Sequence, residues 1–505
     1  MRTSFLLIIL FLFYSSFSFS QNRFQATTFD NSGGMIMLSR NTPDSGVIMT
    51  GLNIATGNTL ITKTDSLGNI EFCKILSSQS IFGVSDILNT STGYLMVCYN
   101  SDDNIFFMNV DFNGNCQSTI AYSSPLDLTI SNILVNPDGT SWLVANFYGA
   151  TTNGFSLIRL DSNYSIISSS LYTYLSVGIG QIIPTSSNEF YLIGTYNFNP
   201  LVIKFDSTGA ILWSKSYNIP SNGQIFADRS SDNGLIISTG FSQSQDQMTQ
   251  LIKIDSLGSV EWNKIYTIPT LRLQGISMKT IFNSGYLISG ELSLNNQTYP
   301  DAFLIRIDNS GNLQWAYKYG GLEYEHNRTI VQSYDGGYVF AGSTNGIPIS
   351  NITTGYVVKT DSNGISGCYE SSISVDTFST SIVSTSVNFP NSAFTFSAAN
   401  IALPNSSDDV GHFICSSVGV DELPNKISIK LFPNPISRLA TFQINQNLDQ
   451  HFELKIINSL GDKYIQQKIS EVETELDLSN LPNGIYIYQL SNSENNFTGK
   501  FIVAH

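Results

Sequence analysis

KIDSLGSVEWNKIY, Lys253 to Tyr266, decides how the chain folds, because near-copies recur through two thirds of the 505 residues. The other copies are KTDSLGNIEF at Lys63, NVDFNGNCQS at Asn109, RLDSNYSIIS at Arg159, KFDSTGAILW at Lys204, RIDNSGNLQW at Arg306 and KTDSNGISGC at Lys359, seven in all. In each, a short apolar run reads as a strand, and a turn such as Asp255-Ser256-Leu257-Gly258 precedes the next strand. The leading Asp can accept hydrogen bonds from backbone N–H groups further on, and Gly in fourth place adopts the positive φ that returns the chain to an antiparallel partner. Six copies carry that Gly; the copy at Arg159 has Tyr164 there, and Asn163 is expected to take the left-handed conformation instead.

The repeat aspartates Asp65, Asp111, Asp161, Asp206, Asp255, Asp308 and Asp361 stand 45 to 53 residues apart, a period that suits a four-stranded blade. A second turn precedes each, from PDSG at Pro43 to DGGY at Asp335, so every unit holds two hairpins. The strands are short, β-branched and aromatic, as sheets buried on both faces require. The expected fold is all-β: a seven-bladed β-propeller over residues 21–372, its ring hiding blade faces against one another. Phe24 to Asp30, FQATTFD, is similar to the last strand of a blade and is expected to pair with Gly355 to Asp361, closing the ring.

The repeat resembles the aspartate box of sialidase propellers, although here Ser66, Ser207 and Ser256 follow the Asp. It also resembles the tryptophan-docking motif of quinoprotein propellers, since Trp213, Trp262 and Trp315 stand seven residues after their Asp, with Phe72 and Cys368 in the equivalent place elsewhere. Both resemblances imply turns and inter-blade packing, not catalysis. Lys63, Arg159, Lys204, Lys253, Arg306 and Lys359 each precede the repeat Asp by two residues, which puts both on one strand face and predicts a same-face ion pair. His326, His412, His451 and His505 show no zinc-binding spacing, so neither metal nor cofactor is expected. No sequence motif assigns catalytic residues. Ligand contacts are expected on the longer connections Gly240 to Thr249, Glu291 to Asp301 and Ser343 to Thr354, and on GGLEYEHNRT at Gly320. There Glu323 and Glu325, if extended, share a face.

Met1 to Ser20 reads as a signal peptide cleaved before Gln21. No later run approaches the roughly 18 uninterrupted apolar residues of a spanning helix, so no transmembrane segment is expected in the mature chain. Only 12% of residues are charged and the net charge is -15, with a pI near 4.6, which disfavours nucleic acid and anionic membranes as partners. Five cysteines are too scattered for a CxxC metal site; in an oxidising compartment Cys368 with Cys415 is the preferred disulfide, stapling the end of the propeller to the segment beyond it. Residues 373–425 turn Ser/Thr-rich and read as strands or a linker, with a small β element packed beneath the ring favoured and Val418 to Asn425 an exposed spacer.

Residues 426–505 form another unit: ISIKLFPNP, LKIINSLGDKY from Leu454, ELDLSNLPNGIYIYQL from Glu475 and TGKFIVAH. Alternating apolar residues between Pro, Asn and Gly turns argue an immunoglobulin-like antiparallel sandwich of about seven strands. Pro433, Asn434 and Pro435, Leu460 and Gly461, Leu481, Pro482, Gly484 and Tyr486, and Lys500 to Val503 together make the unit similar to the type A C-terminal sorting domain of type IX secretion system substrates in Gram-negative bacteria. That resemblance implies export in two steps, through the periplasm to an outer-membrane translocon that recognises the tail. It also implies removal of the tail near Ser416 to Lys426, the cargo being released or joined to surface lipopolysaccharide. The expected product is a secreted or surface binding or adhesion scaffold for an extracellular glycan or protein. The alternative is a glycan hydrolase or lyase using the propeller channel.

Overall fold

A strand such as Gly93–Tyr99, GYLMVCY, is buried along nearly its whole length, so its sheet must be covered on both faces. The computed structural model meets that demand with a ring of sheets. It describes residues 23–504 except 30–32, 54, 78–82, 101–103, 149–152, 175, 220–224, 244–245, 282, 295–299, 322–323, 347–348, 400–404, 410, 417–428, 433–435, 445–451, 459–462, 470–472 and 492–495. Met1 to Ser20, Glu323, the spacer Val418 to Asn425, and Pro433, Asn434, Pro435, Leu460 and Gly461 lie outside the described residues. The described residues contain no helix, hence none long and apolar enough to cross a membrane, which says nothing of strand-built membrane proteins.

The chain divides into two compact units, Met1–Val418 and Gly419–His505. In the first, four consecutive strands form the body of each blade; in blade 6 they are Leu271–Ile281, Gly285–Leu294, Asp301–Ile307 and Leu313–Tyr319. The innermost strands touch in sequence around the ring, and Glu325–Gln332 of blade 7 touches Met35–Asn41 of blade 1, so the circle closes. Closure is also hydrogen-bonded: Phe24–Thr28 is the fourth strand of blade 7, with Phe24 opposite Lys359 and Thr28 opposite Gly355.

The Asp turns form as their chemistry requires. Asp255 Oδ1 accepts from the N–H groups of Leu257 and Ser259 at 2.9 and 2.8 Å, and the six fourth-position glycines have φ between 74° and 90°. In the third copy it is Tyr164 itself, at φ 61°, that takes the left-handed conformation, correcting the expectation for Asn163. The turn dictates the conformation by position, and Tyr164 offsets its strain by stacking on Phe107 of the preceding blade at 5.2 Å. Elsewhere the glycine makes room for an aromatic ring of the neighbouring blade: a Cβ on Gly258 would lie 2.8 Å from Trp213, and one on Gly311 would lie 3.1 Å from Trp262. A tyrosine eleven residues after the Asp completes the junction. Tyr217, Tyr266 and Tyr319 donate to the carbonyls of Gly258, Gly311 and Gly364 at 2.9, 2.7 and 2.5 Å.

The largest departure from expectation is residues 370–416. They are not an element beneath the ring but a girdle around it. Glu370–Ser372 pairs with the outer strand of blade 6, Asp376–Phe378 with blade 5, Ser384–Ser386 with blade 4 and Asn391–Ala393 with blade 3. Ser397–Ala399 then joins blade 2, Asn405–Asp408 blade 1 and Gly411–Ser416 blade 7, so every blade has five strands instead of the expected four. The cause is the edge problem: four-stranded blades leave seven rows of unpaired N–H and C=O groups on the rim, and the girdle caps each antiparallel.

The second unit is two sheets. Ile429–Phe432, Leu439–Ile444 and Glu473–Asp477 form one; Lys463–Ile469, Phe452–Asn458, Gly484–Ser491 and Asn496–Val503 form the other. Phe452, Leu454 and Ile456 alternate inward onto a core with Phe442, Tyr486, Leu490 and Phe501. Of the motif residues, Leu481 is buried in that core, the Pro482 carbonyl accepts from the Tyr486 hydroxyl at 2.9 Å, and Tyr486 stacks on Phe501. Gly484 opens the strand that carries Tyr486, and Lys500 stands opposite Ile487.

Candidate ligand-binding face

Because successive strands alternate in direction, the blade-to-blade connections and the turns between second and third strands share one face of the ring. The repeat Asp turns lie on the other.

On the Asp-turn face five of the six residues of the basic ring are satisfied by ion pairs or hydrogen bonds, though not as the spacing predicts, while Arg159 Nε is buried without a hydrogen-bond partner. Lys253 pairs with Asp232 and Glu261, both at 2.7 Å, while Lys204 pairs with Glu189 at 2.8 Å and Lys359 with Asp335 at 2.6 Å. Lys63 bridges Asp44 and Glu71, Arg306 donates to the Ser284 and Ile307 carbonyls, and Arg159 lies over Trp142. The repeat Asp is engaged by its own turn, so the carboxylates come from the other hairpin turn and the outer strand. A hollow of about 940 Å3 opens on this face between blades 1 and 2, where Phe72 replaces the larger tryptophan of blades 4 to 6. Its lysines, Lys63 and Lys74, are both held by carboxylates.

Polar groups on the innermost strands also link blade to blade. Asp86 is buried, held by Arg40 at 2.8 Å and Asn132 at 2.7 Å; burial raises its pKa despite the arginine. The Gln181 side-chain carbonyl accepts from the N–H of Ala227 and Asp228 from that of Thr280, both at 2.7 Å, so these groups bind their neighbours around the ring.

On the opposite face, two junctions differ in kind. At blades 6–7, where GGLEYEHNRT runs, Glu325 is fully buried: Thr344 donates to it at 2.9 Å and the Gly321 N–H at 3.1 Å. Burial, with the charge of Asp301 nearby, pushes its carboxyl up to about 7. Its acidic neighbour is Asp301, which Lys318 binds at 2.6 Å. His326 lies 2.8 Å from Glu291, and the Tyr324 hydroxyl 2.6 Å from that of Thr353. The longer connections rise above the ring as extended hairpins, Leu235–Gln243 with Asp246–Ile254 and Tyr338–Gly346 with Ile349–Thr360.

At blades 3–4 the chemistry is uncharged. Tyr174, in the connection between blades, meets Tyr196 edge-on at 5.3 Å over a cleft of about 370 Å3 that Asn197, Asn199, Asn218 and Asn388 also line. Buried Phe389 of the girdle supports Tyr174 at 5.4 Å, and the Asn218 N–H binds the girdle at the Val383 carbonyl, 2.8 Å away. Tyr196 and Asn199 pair across a two-residue turn whose central residues, Asn197 and Phe198, have φ of 47° and 62°. Such a turn suits a hairpin, but Phe in that conformation is uncommon, and its ring is 76% exposed. Asn199 Oδ1 is buried without a partner. None of these residues figured in the reading of the sequence; the signal available was the run YNFN, Tyr196 to Asn199, where neighbouring units carry longer connections.

An all-β ring of repeats is followed in the chain by a small two-sheet β domain. Residues 430–504 match the family described as the secretion system C-terminal sorting domain. Residues 430–504 are therefore a type IX secretion sorting domain, which implies export to the cell surface or extracellular space and interaction with that secretion machinery. A search of curated proteins finds no match. Among solved structures, the chain is similar to Sqt1 of Chaetomium thermophilum bound to the N-terminus of ribosomal protein L10, at 12% identity and TM-score 0.40, covering 66% of this chain and 98% of that one. It is also similar to the biofilm matrix protein Bap1 of V. cholerae, at 13% identity and TM-score 0.24, covering 92% and 87%. Latent PorU of Porphyromonas gingivalis gives 12% identity and TM-score 0.14, covering 96% and 34%. At these scores the likenesses carry no functional argument.

Proposed function

We propose that the protein is a non-enzymatic extracellular binding protein whose propeller holds an uncharged glycan in the cleft between blades 3 and 4. It reaches its destination by a signal peptide, the periplasm and the sorting domain, and the tail is cut in the spacer before residue 426. The observation that carries the reading is the pairing of Tyr174 and Tyr196 above a set of amides with no charged side chain among the cleft-lining residues. Sugars present apolar ring faces and hydroxyl edges. Aromatic rings take the first, and amide groups that both donate and accept take the second. The hydrolase alternative has less support, because Glu325, whose proton affinity suits an acid at neutral pH, has no exposed surface to offer a substrate.

A glycan array probed with the purified full-length protein, followed by Tyr174→Ala and Tyr196→Ala, tests this. Binding to neutral oligosaccharides that both substitutions weaken is the expected result. Binding that neither changes, or hydrolysis of the bound glycan, contradicts it.

A further inference from the structure

The girdle runs backwards around the ring, from blade 6 through blades 5, 4, 3, 2 and 1 to blade 7. Its two ends therefore meet. Cys368 stands just before the first girdle strand, Glu370–Ser372, and Cys415 lies in the last, Gly411–Ser416. Gln25 of the ring-closing strand connects them: its backbone is opposite Cys415 in the ladder, while its side-chain amide donates to the Cys368 carbonyl and to Ser366 Oγ at 3.0 Å. The Tyr356 hydroxyl holds the same amide from the other side at 2.5 Å. Cys368 is disulfide-bonded, whereas Cys73, Cys98 and Cys116 carry thiols.

We propose that Cys368 pairs with Cys415 and that the bond turns residues 368–415 into a covalent hoop encircling all seven blades. The difference from a local staple is topological. The girdle strands on blades 6 to 2 are three residues long, too short to hold by themselves, and their anchors are few: Val375 and Phe389 are buried, while Ile373, Ile382, Val387 and Phe396 are partly so. An open girdle would peel from either end, each released strand exposing the next. A hoop has no end from which peeling can begin. It also cannot be slipped over a finished ring, so the blades assemble and the girdle wraps before the bond closes. Closure removes two protons and two electrons from the thiols; an oxidised thiol–disulfide oxidoreductase accepts them, its own disulfide becoming a dithiol.

Hydrogen exchange on the folded full-length protein, with and without a thiol reductant, tests the proposal, together with mass mapping of the non-reduced digest. The digest should contain a peptide linking Cys368 to Cys415. Reduction should speed exchange at least ten-fold in Ser384–Ser386 and Asn391–Ala393, on blades remote from the bond, and leave the inner blade strands unchanged. Acceleration confined to Glu370–Ser372 and Gly411–Ser416 would reduce the hoop to a staple. No acceleration anywhere, or a linkage from Cys368 to Cys73, Cys98 or Cys116, would overturn the proposal outright. Cys368→Ser should reproduce the reduced pattern without reductant; should it fail to fold, reduction of the native protein still gives the answer.

Discussion

The blade 3–4 and blade 6–7 junctions open on the same face of one ring and are built from opposite chemistries. At blades 6–7 Asp301 is held by Lys318, Glu291 by His326, and Glu325 is sealed beneath them. At blades 3–4 the cleft lining is two tyrosines with amides, hydroxyls and the valines Val383 and Val387, and no charged side chain is among them. The contrast teaches that a cluster of charged residues is not by itself a binding site. Charges that satisfy one another stabilise the scaffold, and an aromatic pair set among amides with no charged side chain is the surface suited to an uncharged ligand.

Four substitutions sharpen or break that contrast. The largest effect is expected at Phe190, which stacks on Phe205 at 5.1 Å in the core between blades 3 and 4, at the Asp-turn end of the strand that carries Tyr196 at its other end. Phe190→Ala should cost about 3–5 kcal/mol in a chemical denaturation curve and, while the protein stays folded, leave glycan affinity within about two-fold. Next is Glu325. Its folded pKa, about 7, lies above the ordinary value, so the folded state holds the proton more tightly. Its contribution is fully present below the unfolded value near 4.3 and is lost as pH rises through 7, in all about 4 kcal/mol. Glu325→Gln should flatten the fall in melting temperature between pH 5 and about 7.5 and leave glycan binding intact. A wild-type stability that rises over that window would refute the assignment. Tyr174→Ala should weaken glycan affinity about ten-fold, or roughly 1.4 kcal/mol, with an unchanged melting temperature within a few degrees. The smallest change is expected from Glu291→Gln, which breaks a partly exposed pair and should shift stability by less than about 1 kcal/mol and binding not at all. Loss of binding in Glu291→Gln would move the site to blades 6–7.

How far the sequence carries depends on whether a feature repeats. The Asp-to-Gly turn and the strand pattern occur seven times or nearly so, and the tryptophan seven residues on occurs in three units, because each blade solves the same local problem, and they were legible. The closing strand Phe24–Thr28 was legible for the same reason, as one more copy of a known part. The sorting domain was legible in another way, through a dense motif whose described members, such as Leu481 and Tyr486, are core and turn residues of one small unit. The girdle was not legible. Its strands recur every six to eight residues, but they are specified by the blades they cap, through contacts such as Ile373 N–H to the Ala316 carbonyl and Asp409 N–H to that of Cys73. Short Ser/Thr-rich segments state no such partner. The cleft at blades 3–4 was hidden for a related reason: Tyr174, Tyr196 and Asn388 come from three stretches of chain that only the ring and its girdle bring together. The carboxylate pair expected from Glu323 and Glu325 rested on one assumed extended run, and Glu323 lies outside the described residues. The acidic neighbour Glu325 does have, Asp301, comes from a different blade.

The most direct measurement is titration calorimetry of the full-length protein with the best neutral oligosaccharide from the array, at about 50 and 500 mM salt, where ionic screening differs severalfold. An uncharged aromatic cleft predicts an affinity that changes less than about two-fold with salt and falls about ten-fold in Tyr196→Ala. A strong loss of affinity at high salt, with Tyr196→Ala indistinguishable from the native protein, would contradict it.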